Sequence, residues 1–283
     1  MKHFFIITNQ IKDPQLETTE WITDYLTKRG IGCQVHVQED CQGQYYTDSR
    51  MIPAQTDCIL VLGGDGTLLE AARDTAQLDI PLIGVNLGTL GYLAEVEKTN
   101  LAEALDRLCS GEYEIDRRMM LEGCVMQDDG TKVVNEALND VVISRNGPLQ
   151  VIHFHIYVNG HFLKGYSADG IIVSTPTGST GYNLSAGGPI VEPDARLMVI
   201  TPICPHTFNT RSIVLSPEDR IEIEIGPSKG GGVQEVEANF DGSHSIPMKT
   251  GDRIVIRRSE KTTSIIKLSD VSFLEVLHRK MGE

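Results

Sequence analysis

The stretch CILVLGGDGTLLEAAR, from Cys58 to Arg73, constrains the fold more than any other part of the chain. Its opening apolar run leaves no polar face, so it reads as a strand buried on both sides. Glycines end the strand, and a helix is predicted from about Thr67 onward. A buried strand that passes straight into a helix is the repeating piece of a parallel α/β sheet.

The flanking sequence repeats that alternation. His3–Thr8 and Cys33–Gln38 read as strands, and Pro81–Gly88 as a further buried run. Between the first two, Pro14–Gly30 carries apolar residues at helical spacing and ends on a glycine suited to a helix C-terminus. Asn100–Tyr113 reads as a helix with Asn100 as its N-cap and Gly111 just past its end. This portion predicts a parallel, doubly wound sheet.

Near residue 118 the pattern changes. The helical period nearly vanishes from Met119 to Leu268, and strand alternation takes over. Leu121–Val134 reads as a hairpin, and so does His153–Tyr166, whose Asn159-Gly160 pair suits a tight turn. Residues 219–226, 252–259 and 263–268 also alternate. The chain is therefore expected to form an α/β domain from residues 1–118 plus 269–283 and a mostly β domain, sandwich-like, from 119–268. The short helix in Val271–Glu283 is expected to return to the first domain. The absence of a loose linker predicts a shared cleft.

With 283 residues the chain can build two ordinary cores. Its net charge of −14 argues against a general nucleic-acid binder but leaves room for a small anion at a local site. The six cysteines, Cys33, Cys41, Cys58, Cys109, Cys124 and Cys204, form no C-x-x-C pair, which argues against a zinc ribbon and fits reduced thiols in a cytoplasmic protein. The N-terminal apolar run is too short for a signal peptide or membrane span.

The glycine turn then reads as chemistry. Gly63, Gly64 and Gly66 let backbone approach an oxygen-rich ligand, and the helix at Thr67 adds free N–H groups and a positive dipole end. Together they suit the phosphates of a donor nucleotide. The loop lacks the G-K-[ST] of a Walker A motif, and Leu69 stands where a dinucleotide fingerprint has its third glycine. Asp65 sits in the middle. It either caps its own turn or accepts a hydroxyl proton, and a carboxylate beside phosphate needs such a proton or a divalent metal to offset repulsion.

Two further elements stand out. Ser167–Val191 packs Thr177, Ser179, Thr180, Ser185 and Tyr182 among glycines, which reads as a plain loop with Ser185 as a helix cap or as a nucleoside site. Asn139-Asp140, ahead of an apolar strand, is either a strand-entry turn or a pair that hydrogen-bonds a ribose diol.

Together these blocks resemble the NAD kinase family, over nearly the whole chain. The blocks are GGDGT at Gly63–Thr67, NLGTLGYL at Asn86–Leu93, ALND at Ala137–Asp140, DGIIVSTPTGSTGYNLSAGGP at Asp169–Pro189, Thr201–Leu215, and NFDGSH at Asn239–His244. GGDGT alone is shared with diacylglycerol, sphingosine and 6-phosphofructokinases. The resemblance implies transfer of the γ-phosphoryl group of ATP to the 2′-hydroxyl of the adenosine ribose of NAD. It implies Asp65 as proton acceptor and, with Gly66, as a contact to NAD. Tyr92 would lie against the nucleotide, Asn139 and Asp140 would bind the adenosine part, Asp169 would contact the dinucleotide, and Thr180, Gly181, Tyr182 and Ser185 would frame the adenine. Gly63, Gly64, Gly66 and Thr67 would hold the ATP phosphates, with a divalent cation such as Mg²⁺. Homodimers or homotetramers are implied as well. Asp140 replaces a commoner Glu, Gly181 a commoner Ala and Ser243 a commoner Gln.

A lipid kinase of the same superfamily is the alternative within enzymes, and the hydroxyl-rich loop around Tyr182 suits a nucleoside better than an acyl chain. A catalytically silent nucleotide sensor would be expected to lack the acid that Asp65 supplies. The pair His153 and His155 shares one strand face but has no further ligand at metal spacing. His206, Trp21 and Lys164 read as structural or surface residues.

Overall fold

The computed structural model describes residues 1–38, 46–88, 91–147, 151–207, 210–269 and 271–282. Cys41 lies outside them. The other five cysteines are free. Two compact units divide the chain, Met1–Arg118 with Thr262–Glu283, and Met119–Lys261.

The first unit contains β1 (His3–Asn9), α1 (Glu17–Thr27), β2 (Gly32–Gln38), β3 (Cys58–Gly63), α2 (Asp65–Thr75), β4 (Leu82–Asn86), β5 (Ala94–Glu97) and α3 (Leu101–Ser110). Its strands run parallel in the order β2-β1-β3-β4, and β5 pairs with β4. Every residue of β3 and β4 is buried, which explains their unbroken apolar character. β2 lies at the edge, and only its last residue, Gln38, is buried. The helices bury one stripe each. In α3 that stripe is Leu101, Ala104, Leu105 and Leu108, and Gly111 at φ 87° ends the helix. Asn100 occupies the N-cap position, but its side chain makes no capping bond, because a short 3₁₀ turn over Lys98–Asn100 leads into the helix.

β1 connects to β2 on one side of the sheet, while β3 and β4 lie on the other. The order reverses between β1 and β3, and ligands of open α/β sheets bind outside the carboxyl ends of the strands at such a point. The loop after β3 is GGDGT.

The chain leaves the first unit within β6 (Glu114–Met126). The second unit continues with β7 (Lys132–Ala137), β8 (Asp140–Arg145), β9 (Ile152–Val158), β10 (His161–Ala168), β11 (Gly170–Ser174), α4 (Tyr182–Ser185), β12 (Met198–Ile203), β13 (Ile213–Leu215), β14 (Ile221–Ile225), β15 (Glu235–Phe240) and β16 (His244–Lys249). β17 (Arg253–Lys267) carries the chain back, and α5 (Phe273–Met281) closes the described part of the first unit. Residues 252–259 and 263–268, which alternate separately in the sequence, belong for the most part to this one strand, and the return falls at Thr262 within it.

An antiparallel sheet in the order β13-β12-β11-β8-β15-β16 faces the strands β10-β9-β14-β17, and Ile143, Ile171, Ala238 and Phe240 of the one pack with Phe154, Ile156, Ile223 and Ile254 of the other. The unit is a sandwich whose core comes from alternate residues of both layers. Asn159 at φ 52° and Gly160 at φ 79° form the tight turn between β9 and β10. The α/β class of the first unit and the mostly β class of the second agree with the sequence reading.

Candidate active site

Gly63 ends β3, Gly64 is extended, and α2 begins at Asp65, two residues earlier than the sequence suggests. Asp65 is thus the first residue of the helix. A Cβ on Gly64 or Gly66 would meet nothing within 4 Å, so their backbone faces open space. Asn9 at the end of β1 donates to the Thr67 hydroxyl at 3.4 Å and ties the loop to the switch point of the sheet.

The Asp65 carboxylate does not cap its own turn. It accepts three consecutive backbone amides from the loop before β5: Tyr92 at 2.7 Å on Oδ2, and Leu93 and Ala94, each at 3.2 Å, on Oδ1. A carboxylate offers about four lone-pair positions. Among the described residues Oδ1 receives two donors and Oδ2 one, which leaves one position on Oδ2 open. Gly91 makes this possible, since a Cβ there would stand 1.8 Å from Asp65 Oδ1. The Tyr92 side chain lies under the Lys280 ammonium, 4.9 Å from the ring centre.

A matching clamp holds the Asn139-Asp140 turn in the second unit. The Asp241 carboxylate accepts the amides of Leu138 at 2.8 Å, Asn139 at 2.7 Å and Asp140 at 3.1 Å. Gly178 packs against this turn, its absent Cβ falling 2.1 Å from the Asn139 carbonyl oxygen. A Cβ on Gly181 would come 3.3 Å from the Gly178 carbonyl oxygen and 3.5 Å from Asn139 Nδ2, so an alanine there needs a shift of a few tenths of an ångström. The structure therefore brings Asn139, Asp140, Thr180 and Gly181 together. Asn139 Oδ1 is buried and has no hydrogen-bond partner among the described residues. An unpaired buried acceptor is costly, and a donor from outside the chain would relieve it.

The hydroxyl-rich segment divides by function. Ser179 is fully buried and exchanges hydrogen bonds with the Val191 backbone at 2.9 and 3.1 Å, so it is structural rather than offered to a ligand. Asn183 is buried too, bonding Ser179, Pro189 and Thr201. The Thr180 hydroxyl reaches the Thr177 carbonyl at 3.4 Å. Ser185 ends α4 instead of capping a helix start. Tyr182 stays exposed, which leaves its ring available for stacking.

Asp169 lies elsewhere. β11 pairs antiparallel with β8 so that Ser174 faces Asp140 and Gly170 faces Ser144. Asp169 thus stands at the other end of β8 from Asp140, roughly 17 Å away at the rise of a strand. Arg145 pairs with it at 2.8 Å. His153 bonds the Ser167 hydroxyl at 2.8 Å and His155 leans against Phe162. Among the described residues no group of three or more His, Cys, Asp and Glu is placed to hold a metal.

Burial, and then the nearby Asp241 carboxylate, push the Asp140 carboxyl up from 3.8 to about 7. A raised acid favours the fold fully below its unfolded value and loses that contribution as pH climbs to its folded value. The penalty in this protein thus grows between about pH 4 and pH 7. Asp140→Asn removes the titration, so its gain in stability over wild type is expected to be larger at pH 8 than at pH 5, by on the order of 3 kcal/mol. Equal gains at both pH values in thermal melts contradict the assignment.

Sequence comparison places these features in a known family. Residues 4–113 match the family model described as the ATP-NAD kinase N-terminal domain, and residues 138–268 that of the ATP-NAD kinase C-terminal domain. An NAD kinase from Lachnospira eligens is 47% identical, covering 99% of this chain and 100% of its own. One from Agathobacter rectalis is 45% identical over 100% of this chain and 99% of its own. In fold, the chain resembles yeast NADH kinase complexed with NADH, with a TM-score of 0.83 at 24% identity over 100% of this chain and 88% of that one. It also resembles an NAD kinase from Archaeoglobus fulgidus in complex with ATP, with a TM-score of 0.76 at 24% identity over 99% and 98%. With both family domains matched in order and relatives aligned from end to end, the chain belongs to the NAD kinase family.

Proposed function

We infer that the protein is an ATP-dependent NAD kinase: it transfers the γ-phosphoryl group of ATP to the 2′-hydroxyl of the adenosine ribose of NAD, giving NADP and ADP. The observation that carries the mechanism is Asp65, whose carboxylate is held by three amides with one position on Oδ2 open. The 2′-hydroxyl donates its proton there. As the bond from the 2′-oxygen to the γ-phosphorus forms, the bond from that phosphorus to the β,γ-bridging oxygen breaks and ADP leaves. Gly63, Gly64, Gly66 and Thr67 cradle the ATP phosphates with backbone and the helix N-terminus.

A divalent cation such as Mg²⁺ would be held by the phosphates of ATP beside the glycine loop and would offset their charge. Small divalent ions of this kind bind mainly through substrate phosphates and water, which fits a site without a protein cage among the described residues. Asp65 handles the proton.

Asn139 and Asp140 hold the adenosine part, and the orphaned Asn139 Oδ1 supports that role. Gly66 and Tyr92 contact the nucleotide, and Thr180, Gly181, Tyr182 and Ser185 frame the adenine. Asp169, at the far end of β8, needs an extended dinucleotide or a second protomer of a homodimer or homotetramer. The reaction belongs in the cytoplasm, and no helix among the described residues is long and apolar enough to cross a membrane.

Incubation with ATP, Mg²⁺ and NAD, followed by NADP detection, tests the activity. NADP is expected, and its absence with folded protein contradicts the reading. NADH and polyphosphate as alternative substrates define acceptor and donor range. Tyr182→Ala is expected to raise the apparent KM for NAD about tenfold with kcat nearly unchanged, since base stacking on an aromatic ring contributes equally to bound and reacting states. A fall in kcat alone argues against stacking.

A further inference from the structure

α5 is amphipathic, yet none of its residues is fully buried. Its inward stripe is Phe273, Val276, Leu277 and Lys280, spaced i, i+3, i+4 and i+7 and all half-buried. Leu274 and Met281, by contrast, are exposed. The stripe ends on a lysine where an apolar residue would complete it. His278 and Arg279, the other basic residues of that last turn, are exposed. The ring of Tyr92 accounts for a lysine on the inner stripe. Lys280 Nζ stands 4.9 Å from the ring centre. That is cation–π distance, and such a contact strengthens where the cation is partly shielded from water.

Tyr92 is also the residue whose amide donates to Asp65 Oδ2 at 2.7 Å. Its backbone is therefore tied to the proposed base and its ring to the C-terminal helix. The approach to α5 is fastened to the same stretch. Glu95 accepts the amides of Leu268, at 2.8 Å, and of Ser269 on Oε1. Ser272 then starts α5 with a capping box. Its hydroxyl accepts the Glu275 amide at 3.3 Å, and the Glu275 carboxylate accepts the Ser272 amide at 2.8 Å. Residues 92–95 are thus held both by Asp65 and by the C-terminal segment, all within the first compact unit. Since α5 buries no residue fully, a single contact in its last turn weighs more than it would on a deeply packed helix.

We propose that Lys280 is a positioning residue for the phosphoryl transfer: its ammonium fixes the Tyr92 ring, and through it the Tyr92 amide that orients Asp65 Oδ2. The proposal rests on the reading of Asp65 as the base and adds a residue from the opposite end of the chain. Lys280 acts on the loop rather than on substrate. A cation–π contact is weak beside the amide clamp, so it refines the geometry of the carboxylate without deciding whether the unit folds.

The test is steady-state kinetics of wild type, Lys280→Met and Lys280→Arg, each also in the Tyr92→Leu background, with a thermal melt of every protein. Methionine keeps an unbranched stem and loses the charge, whereas arginine keeps a cation that stacks on aromatic rings. Lys280→Met is expected to lower kcat about three- to tenfold while the KM values for ATP and NAD change less than about twofold. Its thermal midpoint is expected to stay close to that of wild type. Lys280→Arg is expected to recover most of the rate. In the Tyr92→Leu background Lys280→Met is expected to have little further effect, because the ring it acts through is gone. A wild-type kcat in Lys280→Met overturns the proposal, and so does an equal loss in Lys280→Arg. A loss confined to the KM for NAD overturns it too, since that puts the lysine on the dinucleotide. If Asp65→Asn loses its rate and Lys280→Met does not, only this proposal falls. If Asp65→Asn keeps full activity, the reading beneath it falls.

Discussion

Asp65→Asn is expected to lower turnover by about 10²–10⁴-fold, the usual worth of a positioned general base. The structure adds a second consequence. An Asn side chain has one acceptor oxygen and one amino group. If the oxygen keeps Leu93 and Ala94, the amino group meets the Tyr92 amide, donor against donor. The variant should therefore lose stability too, by roughly 1–3 kcal/mol for a donor left unpaired. Single-turnover phosphoryl transfer, NAD titration and a thermal melt separate the two effects. The expected pattern is a large loss of rate, a modest fall in midpoint and little change in NAD affinity. Full activity in this variant removes Asp65 from the chemistry.

Gly91→Ala reaches the same carboxylate without touching it chemically. The obstacle to alanine at this position is steric. The new Cβ would stand 1.8 Å from Oδ1 and 2.5 Å from Oδ2 of Asp65, so the carboxylate or the loop must move. A displacement of about 1 Å in a reacting group costs on the order of 10²-fold in rate. Turnover in Gly91→Ala is expected to fall by about that factor. The clash is specific to the Asp65 side chain, so a double-mutant cycle exposes it. Gly91→Ala should destabilise the wild-type background clearly and the Asp65→Ala background much less, a coupling that kinetics alone does not reveal. Equal destabilisation in both backgrounds contradicts the packing account.

Much of this was legible in the sequence because burial leaves periodic marks. β3 and β4 read as unbroken apolar runs since both faces are covered, and Asn159-Gly160 announced its turn through backbone conformation. The glycine loop was recognisable by composition, and the segment around Tyr182 by its hydroxyls and glycines. The clamps were not. Asp65 binds amides 27 to 29 residues away, and Asp241 binds amides more than 100 residues away. Every non-proline residue carries the same N–H, so side chains do not advertise such partners. Gly91 was the one local trace, and it becomes informative only once its neighbour is known. The commitment of Ser179 to Val191 was hidden for a related reason, because composition counts a hydroxyl without showing which way it points. The distance of Asp169 from Asp140 depends on the antiparallel register of β8 and β11, which lies beyond any local motif.

The most direct measurement is the separation between Asp65 Oδ2 and the adenosine 2′-oxygen in a crystal structure with NAD bound. The expected result is a hydrogen bond of about 2.6–3.2 Å, made while the amides of Tyr92, Leu93 and Ala94 still occupy the other positions of the carboxylate. A 2′-oxygen held beyond reach in a complex that turns over in the crystal, with no water joining the two, contradicts the assignment of Asp65 as the base.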